Sequence, residues 1–150
     1  MFFNIGAFFG IYSFSIVTQR IGRRPCFAIF YLAAMVSTAA AFLWMSEFWH
    51  LFVMVPLMGF FQLSVFGGYA IYFPELFPTR LRSTGTSFCY NIARFAAALG
   101  PAALGMLSSG VFKGYEEPMR YAGLSMCAVF LLGIVVLPFA PETKDQPLPE

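Results

Sequence analysis

A single arginine, Arg94, carries the only charge in the long apolar stretch between Ser83 and Val111. A charged side chain near the centre of a bilayer costs at least about 2.5–3.5 kcal/mol, so it must face water or a partner. Asn91 lies three residues earlier and shares a helical face with Arg94. A guanidinium beside an amide can bind a carboxylate through paired hydrogen bonds. The pair predicts a site for an anionic solute; a structural arginine held by an acidic or carbonyl partner is the alternative.

A second set of polar and aromatic residues recurs at helical intervals. Residues at i, i+4, i+7 and i+11 share one helical face, and here they are Gln62, Phe66, Tyr69 and Phe73. An amide and a hydroxyl can hydrogen-bond a solute while aromatic rings form a wall, so this face is a candidate binding surface. Ordinary helix packing with a satisfied glutamine is the alternative. Asn4, a polar residue in an apolar segment, completes the candidate set.

The sequence contains no arrangement typical of an active site or a metal centre. It has no Gly-rich phosphate loop, no G-x-S-x-G and no H-E-x-x-H. Cys26, Cys89 and Cys127 lack metal-ligand spacing and are expected to be small packing residues. We therefore expect the protein not to be an enzyme and to bind neither a metal nor a cofactor.

The composition is that of an integral membrane protein. Hydrophobic residues make up 59% of the 150 residues and charged residues only 11%, whereas soluble domains carry about 25% charged residues. So little charge cannot coat a surface that faces water. The net charge is only +2 and its residues fall between apolar runs, which argues against binding to nucleic acid.

Five apolar segments alternate with short polar connections. About 20 residues at roughly 1.5 Å per residue cross the hydrocarbon core, and the five candidate segments are 1–18, 25–45, 51–72, 84–107 and 121–140. We predict an all-α, polytopic transmembrane helix bundle over residues 1–140 and a polar, proline-rich tail over residues 141–150. Pro74 and Pro78 are expected to end the third helix, since proline lacks the N–H that a helix needs.

Basic residues lie mostly on one side of this predicted bundle. One side holds Arg20, Arg23, Arg24, Arg80, Arg82 and Lys144, and the other side holds Lys113 and Arg120. Because basic loops remain on the cytoplasmic side, we predict an outside N-terminus and a cytoplasmic C-terminus in a multi-pass protein.

Three short motifs resemble those of the major facilitator superfamily of transporters. Residues 75–85 read E-x-x-P-x-x-x-R-x-x-G, which resembles the loop between helices 10 and 11, most closely in the sugar-porter and metabolite:proton symporter branches. Residues 20–24, R-I-G-R-R, resemble the D-R-x-G-R-R loop that the family repeats in each half, with Gln19 in place of the usual aspartate. Residues 141–144, P-E-T-K, resemble the signature that ends helix 12.

The resemblance implies a function and a set of partners. The chain would be the C-terminal half, helices 8 to 12, of a secondary transporter in the cell (inner or plasma) membrane. It would move a small organic solute, an organic acid or a sugar-like molecule, by alternating access between two halves. Proton symport is left open, because no acidic residue lies mid-membrane here. Besides the solute and the lipid bilayer, the expected partner is the missing N-terminal half or a second copy.

The resemblance also implies a gate built from loop charges. In the family, loop arginines pair with acidic residues at neighbouring helix ends when the cytoplasmic side is closed. The corresponding residues are Arg20, Arg23, Arg24 and Arg82, with Glu75 and Glu142 as acceptors. The alternative is that these arginines only hold the loops inside.

A second function class fits the same sequence. A truncated or standalone half would not transport, and would act as a membrane interaction or assembly protein or be a remnant. Its polar faces, Arg94 among them, would meet lipid unless another protein or copy covered them.

Overall fold

Helices make up nearly all of the chain in the computed structural model, which describes residues 1–149. They are α1 (Phe2–Ile21), α2 (Arg23–Trp44), α3 (Phe48–Leu76), α4 (Arg82–Ala98), α5 (Gly100–Met106), a π-helical turn (Leu107–Val111), α6 (Pro118–Met126), α7 (Val129–Val136) and a 3₁₀ turn (Leu137–Phe139). Residues 1–149 contain no strand, and the all-α prediction is confirmed.

In the part of the chain that the structure describes, five stretches are long and apolar enough to cross a membrane: Phe2–Ile21, Arg23–Trp44, Phe48–Leu76, Arg82–Val111 and Pro118–Phe139. The first three are the single helices α1, α2 and α3. In the fourth, α4, α5 and the π-helical turn follow one another, and Pro101 lies in the first turn of α5, where its missing N–H does no harm. In the fifth, α6 and α7 lead into the 3₁₀ turn.

The connections explain where the helices begin and end. Only Gly22 separates α1 from α2, and its φ of 98° is one that glycine adopts without strain. The expectation that Pro74 ends the third helix is wrong, because α3 continues to Leu76. One missing N–H does not end a helix whose last turn is held by other contacts. The helix ends instead at Phe77, which is extended (φ −113°, ψ 141°), as the residue before Pro78 must be.

Helices α1 and α3 pack backbone against backbone. A Cβ on Gly6 would lie 1.8 Å from the carbonyl oxygen of Pro56, and a Cβ on Gly59 would lie 2.0 Å from that of Phe3. Only glycine permits such an approach, which is how helices associate closely in membranes. Helices α1 and α3 are therefore the most closely packed pair in the bundle.

A buried core fills the space between α1, α2 and α3. It contains Phe14, Cys26, Phe27, Phe30, Val65 and Tyr72. By contrast, no residue of the fourth span, Arg82–Val111, is buried. That span contacts α3 chiefly through aromatic rings, with Tyr90 lying 5.4 Å from Phe66 and 5.3 Å from Phe73 between ring centroids.

Candidate functional site

An ion pair joins the start of α2 to the end of α3. Arg23 donates from Nε to Oε2 of Glu75 at 3.0 Å and from Nη2 to Oε1 at 2.7 Å. Thr143 donates its hydroxyl to the same Oε2 at 2.5 Å. The two charged side chains are only 14% and 17% exposed. A bidentate pair of this kind is stronger and more specific in geometry than a single contact.

Glu142 caps the N-terminus of α2 from the far end of the chain. Its carboxylate accepts the backbone N–H of Arg23 at 2.8 Å and that of Arg24 at 3.0 Å. It also accepts the N–H of Lys144 at 3.1 Å. Partial burial opposes ionisation of Glu142, but these donors outweigh it and lower the pKa of its carboxyl below the ordinary value. The negative charge also suits a helix N-terminus.

The same two segments are tied in the opposite direction. Arg24 donates from Nε to the carbonyl oxygen of Leu137 at 3.1 Å and from Nη2 to that of Pro138 at 2.9 Å. Both carbonyls lie in the 3₁₀ turn that ends the fifth span, and that of Leu137 also accepts the backbone N–H of Ala140 at 3.1 Å. Lys144 donates its Nζ to the carbonyl oxygen of Arg20 at 2.7 Å. The start of α2 and the end of the fifth span therefore cap each other.

We call this assembly the charged end; it comprises residues 20–24, 72–77 and 137–144. It brings together Arg23, Arg24, Glu75 and Glu142 from the predicted gate. Arg20 takes part through its backbone carbonyl. Arg82 stands apart, since it makes only a 3.4 Å hydrogen bond to Thr79 and its buried Nε has no partner within residues 1–149.

Two contributors to the charged end were not predicted from the sequence. Thr143 shares the carboxylate of Glu75, and the Tyr72 hydroxyl donates to the carbonyl oxygen of Pro141 at 2.6 Å. The signal in the sequence that could have identified them is their position next to the predicted gate residues. Thr143 follows Glu142 directly, and Tyr72 precedes Glu75 by about one helical turn.

The predicted binding face on α3 divides between two neighbours. Gln62 donates its amide nitrogen to the Thr38 hydroxyl at 2.7 Å, and the Tyr69 hydroxyl hydrogen-bonds that of Tyr31. The Tyr69 ring lies nearly parallel to the ring of Phe73, at 5.0 Å and 8°. The polar groups of the face therefore point to α2, whereas the rings of Phe66 and Phe73 contact Tyr90 on α4.

Arg94 and Asn91 lie on the uncovered fourth span. Both are exposed, and Asn91 donates to the carbonyl oxygen of Ser87 in its own helix at 2.8 Å. The Arg94 guanidinium makes no hydrogen bond or ion pair within residues 1–149. Asn4 is also exposed but lies on α1, beside Ile5 and Phe8. No hydrogen bond joins these three residues to one another or to Gln62 and Tyr69 in the described chain.

This architecture, membrane-length helices whose ends are locked by charged loops, is that of a polytopic membrane protein. The whole sequence, residues 1–150, matches the Major Facilitator Superfamily, and the chain belongs to that family. The resemblance read from residues 20–24, 75–85 and 141–144 is thereby confirmed.

The curated relatives are named as transporters. A Haemophilus influenzae protein, provisionally named a metabolite transport protein, is 30% identical over 95% of the chain. The "Probable 4-methylmuconolactone transporter" of Cupriavidus pinatubonensis is 29% identical over 93%, and the "Cis,cis-muconate transport protein" of Acinetobacter baylyi is 28% identical over 87%. The chain covers 34%, 31% and 30% of these three proteins, so it spans about a third of their length.

Proposed function

We propose that this chain is the C-terminal part of a secondary transporter that carries a small organic acid across the cell membrane. The observation that carries the proposal is Arg94, whose guanidinium has no partner within residues 1–149 and lies on a membrane-length span without a buried residue. Such a residue must meet water or a ligand of opposite charge. Two relatives are named for the transport of muconate and of 4-methylmuconolactone, and muconate is a carboxylate anion.

Arg94 and Asn91 would bind the carboxylate from the fourth span. The aromatic rings of Tyr69, Phe73 and Tyr90 would contact the apolar part of the solute. Gln62 on α3 and Asn4 on α1 complete the site. The solute would lie near the midplane, between this part of the transporter and the part that the chain does not span.

The charged end would act as the cytoplasmic gate. Its basic loops belong on the cytoplasmic side, which also puts the C-terminus there. Breaking and remaking the pair of Arg23 with Glu75 and the cap that Glu142 provides would bias the two states of alternating access. Arg82, which has no acidic partner within residues 1–149, would pair with a residue of the part that the chain does not span.

Proton coupling, if present, would use groups outside this sequence. The acidic residues are Glu47, Glu75, Glu116, Glu117, Glu142, Asp145 and Glu150. None of those within residues 1–149 lies near the middle of a span. A sugar-like solute is the alternative cargo, and it would depend less on Arg94 than an acid does.

The test is uptake by the protein as its gene encodes it, with labelled cis,cis-muconate, benzoate and glucose as probes. We expect uptake of a carboxylate that Arg94→Gln reduces by about ten-fold or more, in line with 1.5–3 kcal/mol for a hydrogen bond to a charged group. Arg120→Gln is the matched control, because Arg120 pairs with the neighbouring Glu117. Carboxylate uptake that is unchanged in Arg94→Gln would refute the assignment of the site.

The standalone alternative also has an observation in its favour, the absence of any buried residue in Arg82–Val111. In a non-transporting assembly, a partner protein would cover this span, and the chain by itself would show the same lack of buried residues there. The mass of the native product, from an immunoblot against the tail, separates the two. A product of roughly 45 kDa, the size of about twelve spans with loops, supports transport; a product of 16.7 kDa, the mass of this sequence, favours assembly.

A further inference from the structure

Two hydrogen bonds between α2 and α3 are arranged in the same register. Tyr31 and Thr38 are seven residues apart on α2, and their partners Tyr69 and Gln62 are seven residues apart on α3. Seven residues are about two helical turns, so each pair lies on one side of its helix. The partners run in opposite order, as they must between antiparallel helices.

We propose that Tyr31 and Thr38 are positioning residues that determine what Gln62 and Tyr69 present to the transported solute. The inference rests on the proposed function. It gives α2 a part in specificity, although α2 carries none of the candidate binding residues. The argument differs for the two hydrogen bonds.

Thr38 fixes the orientation of the Gln62 amide. The Thr38 hydroxyl donates to the carbonyl oxygen of Ala34 at 2.6 Å, so its one hydrogen is used and it can only accept from Gln62. Gln62 must therefore turn its NH₂ group to α2. Its amide oxygen makes no hydrogen bond within residues 1–149 and remains available. Gln62 thus offers the solute an acceptor, which favours a solute with a hydroxyl, an amine or a protonated acid group.

Tyr31 occupies the hydroxyl of Tyr69. Each is the other's side-chain partner, and both side chains are largely removed from solvent. With its hydroxyl held at α2, the Tyr69 ring is fixed against Phe73, and Phe73 in turn meets the ring of Tyr90. The Tyr69 ring also stacks on that of Phe27 in α2, at 5.4 Å and 25°. Tyr69 thus offers the solute apolar contact from its ring and not a hydroxyl. If Tyr31 loses its hydroxyl, that of Tyr69 is left unpaired and must turn to another partner.

The test compares Tyr31→Phe and Thr38→Val in the protein as its gene encodes it, with labelled 4-hydroxybenzoate, a carboxylate that also carries a hydroxyl donor for Gln62, as the probe. We expect each variant to raise KM about five- to thirty-fold, the factor that one or two kcal/mol produces, with kcat unchanged. Thr38→Ser keeps the hydroxyl and should restore the original KM. Tyr115→Phe makes the same chemical change at an exposed loop residue whose hydroxyl has no partner within residues 1–149, and should leave KM as it was.

A second readout needs no solute. 3-Fluorotyrosine at position 69 should show a changed ¹⁹F resonance in Tyr31→Phe and the same resonance in Tyr115→Phe. A ¹⁹F resonance that does not move overturns the pairing on which the proposal depends. A moved resonance with unchanged KM overturns the positioning role alone. If the unmodified protein takes up none of the acids, the proposed function fails, whereas the ¹⁹F result still decides whether the pairing exists.

Discussion

The charged end and the fourth span satisfy their polar groups in opposite ways. At the charged end, Glu75 and Glu142 find all their partners within this chain, including backbone groups more than a hundred residues away in sequence. On the fourth span, Arg94 is exposed and no residue is buried. The difference separates a surface whose charged groups find partners within residues 1–149 from one where the guanidinium of Arg94 finds none there.

Breaking the ion pair of the charged end should have the largest effect on stability. In Glu75→Gln, Arg23 loses its charged partner while remaining largely buried. We expect a loss of about 2–3 kcal/mol, below the roughly 3–5 kcal/mol of a fully buried pair because both side chains keep some exposure. Unfolding of the purified protein by SDS in mixed micelles measures this change.

The control for Glu75→Gln is Glu117→Gln, since Glu117 pairs with Arg120 on a more exposed surface (54% and 29% side-chain exposure). An exposed pair contributes about 0–1 kcal/mol, so the control should unfold almost as the unmodified protein does. Equal losses in the two variants would contradict the view that the charged end is a locked structure.

Removing the cap of α2 should have a smaller effect. Glu142→Gln keeps an oxygen that can accept one N–H but removes the charge at the helix N-terminus. We expect a loss of about 1 kcal/mol in the same unfolding assay. Asp145→Asn is the matched control, because Asp145 is exposed in the same segment and asparagine tolerates its positive φ of 59°. If Asp145→Asn lowers the free energy of unfolding as much as Glu142→Gln does, the loss in Glu142→Gln is not caused by removal of the cap.

The contribution of Glu142 should depend on pH in a defined direction. The pKa of its carboxyl is lower in the folded protein than the ordinary 4.5. The stabilisation is therefore fully present above about pH 4.5 and is lost as the pH falls through the lower folded value. The difference in stability between the unmodified protein and Glu142→Gln, measured from pH 7 downward, should shrink only below that point. If the stability difference between the two proteins shrinks already near neutral pH, the pKa of the Glu142 carboxyl is not lowered in the folded protein.

The mildest test changes no residue at all. Cys89 is partly exposed on the fourth span, whereas Cys26 and Cys127 are 0% and 4% exposed. A water-soluble, charged thiosulfonate should modify Cys89 much faster than the other two in the folded protein, and all three alike in SDS. Peptide mass spectrometry gives the order of modification. If Cys26 reacts first, the fourth span is not the open surface of this molecule.

The sequence alone was sufficient for the fold class and the family. Apolar segments of membrane length predicted five spans, and residues 75–85 pointed to the family, because both signals are local in the chain. The partner of a residue is not a local property. Spacing placed Gln62 and Tyr69 on one face of α3, but only packing showed that α2 supplies the hydroxyls of Thr38 and Tyr31 that bind them.

At the charged end, too, the sequence did not show which residues are partners. The resemblance to the family predicted that arginines would pair with Glu75 and Glu142, yet it could not assign Arg23 to Glu75, or Arg24 to the carbonyls of Leu137 and Pro138. Backbone groups carry no sequence signal of their own. The uncovered state of Arg94 likewise follows from the packing of the fourth span and not from its composition.

The cap that Glu142 places on α2 also sets an order of events during synthesis. The carboxylate and the N–H of Arg23 are separated by 119 residues. At translation rates of about 5–20 residues per second, the start of α2 waits roughly 6–24 seconds before its cap can form. Every chain that stops before Glu142, through a premature stop codon or a stalled ribosome, leaves that helix end open. The cap on α2 can therefore form only in chains whose synthesis has passed Glu142.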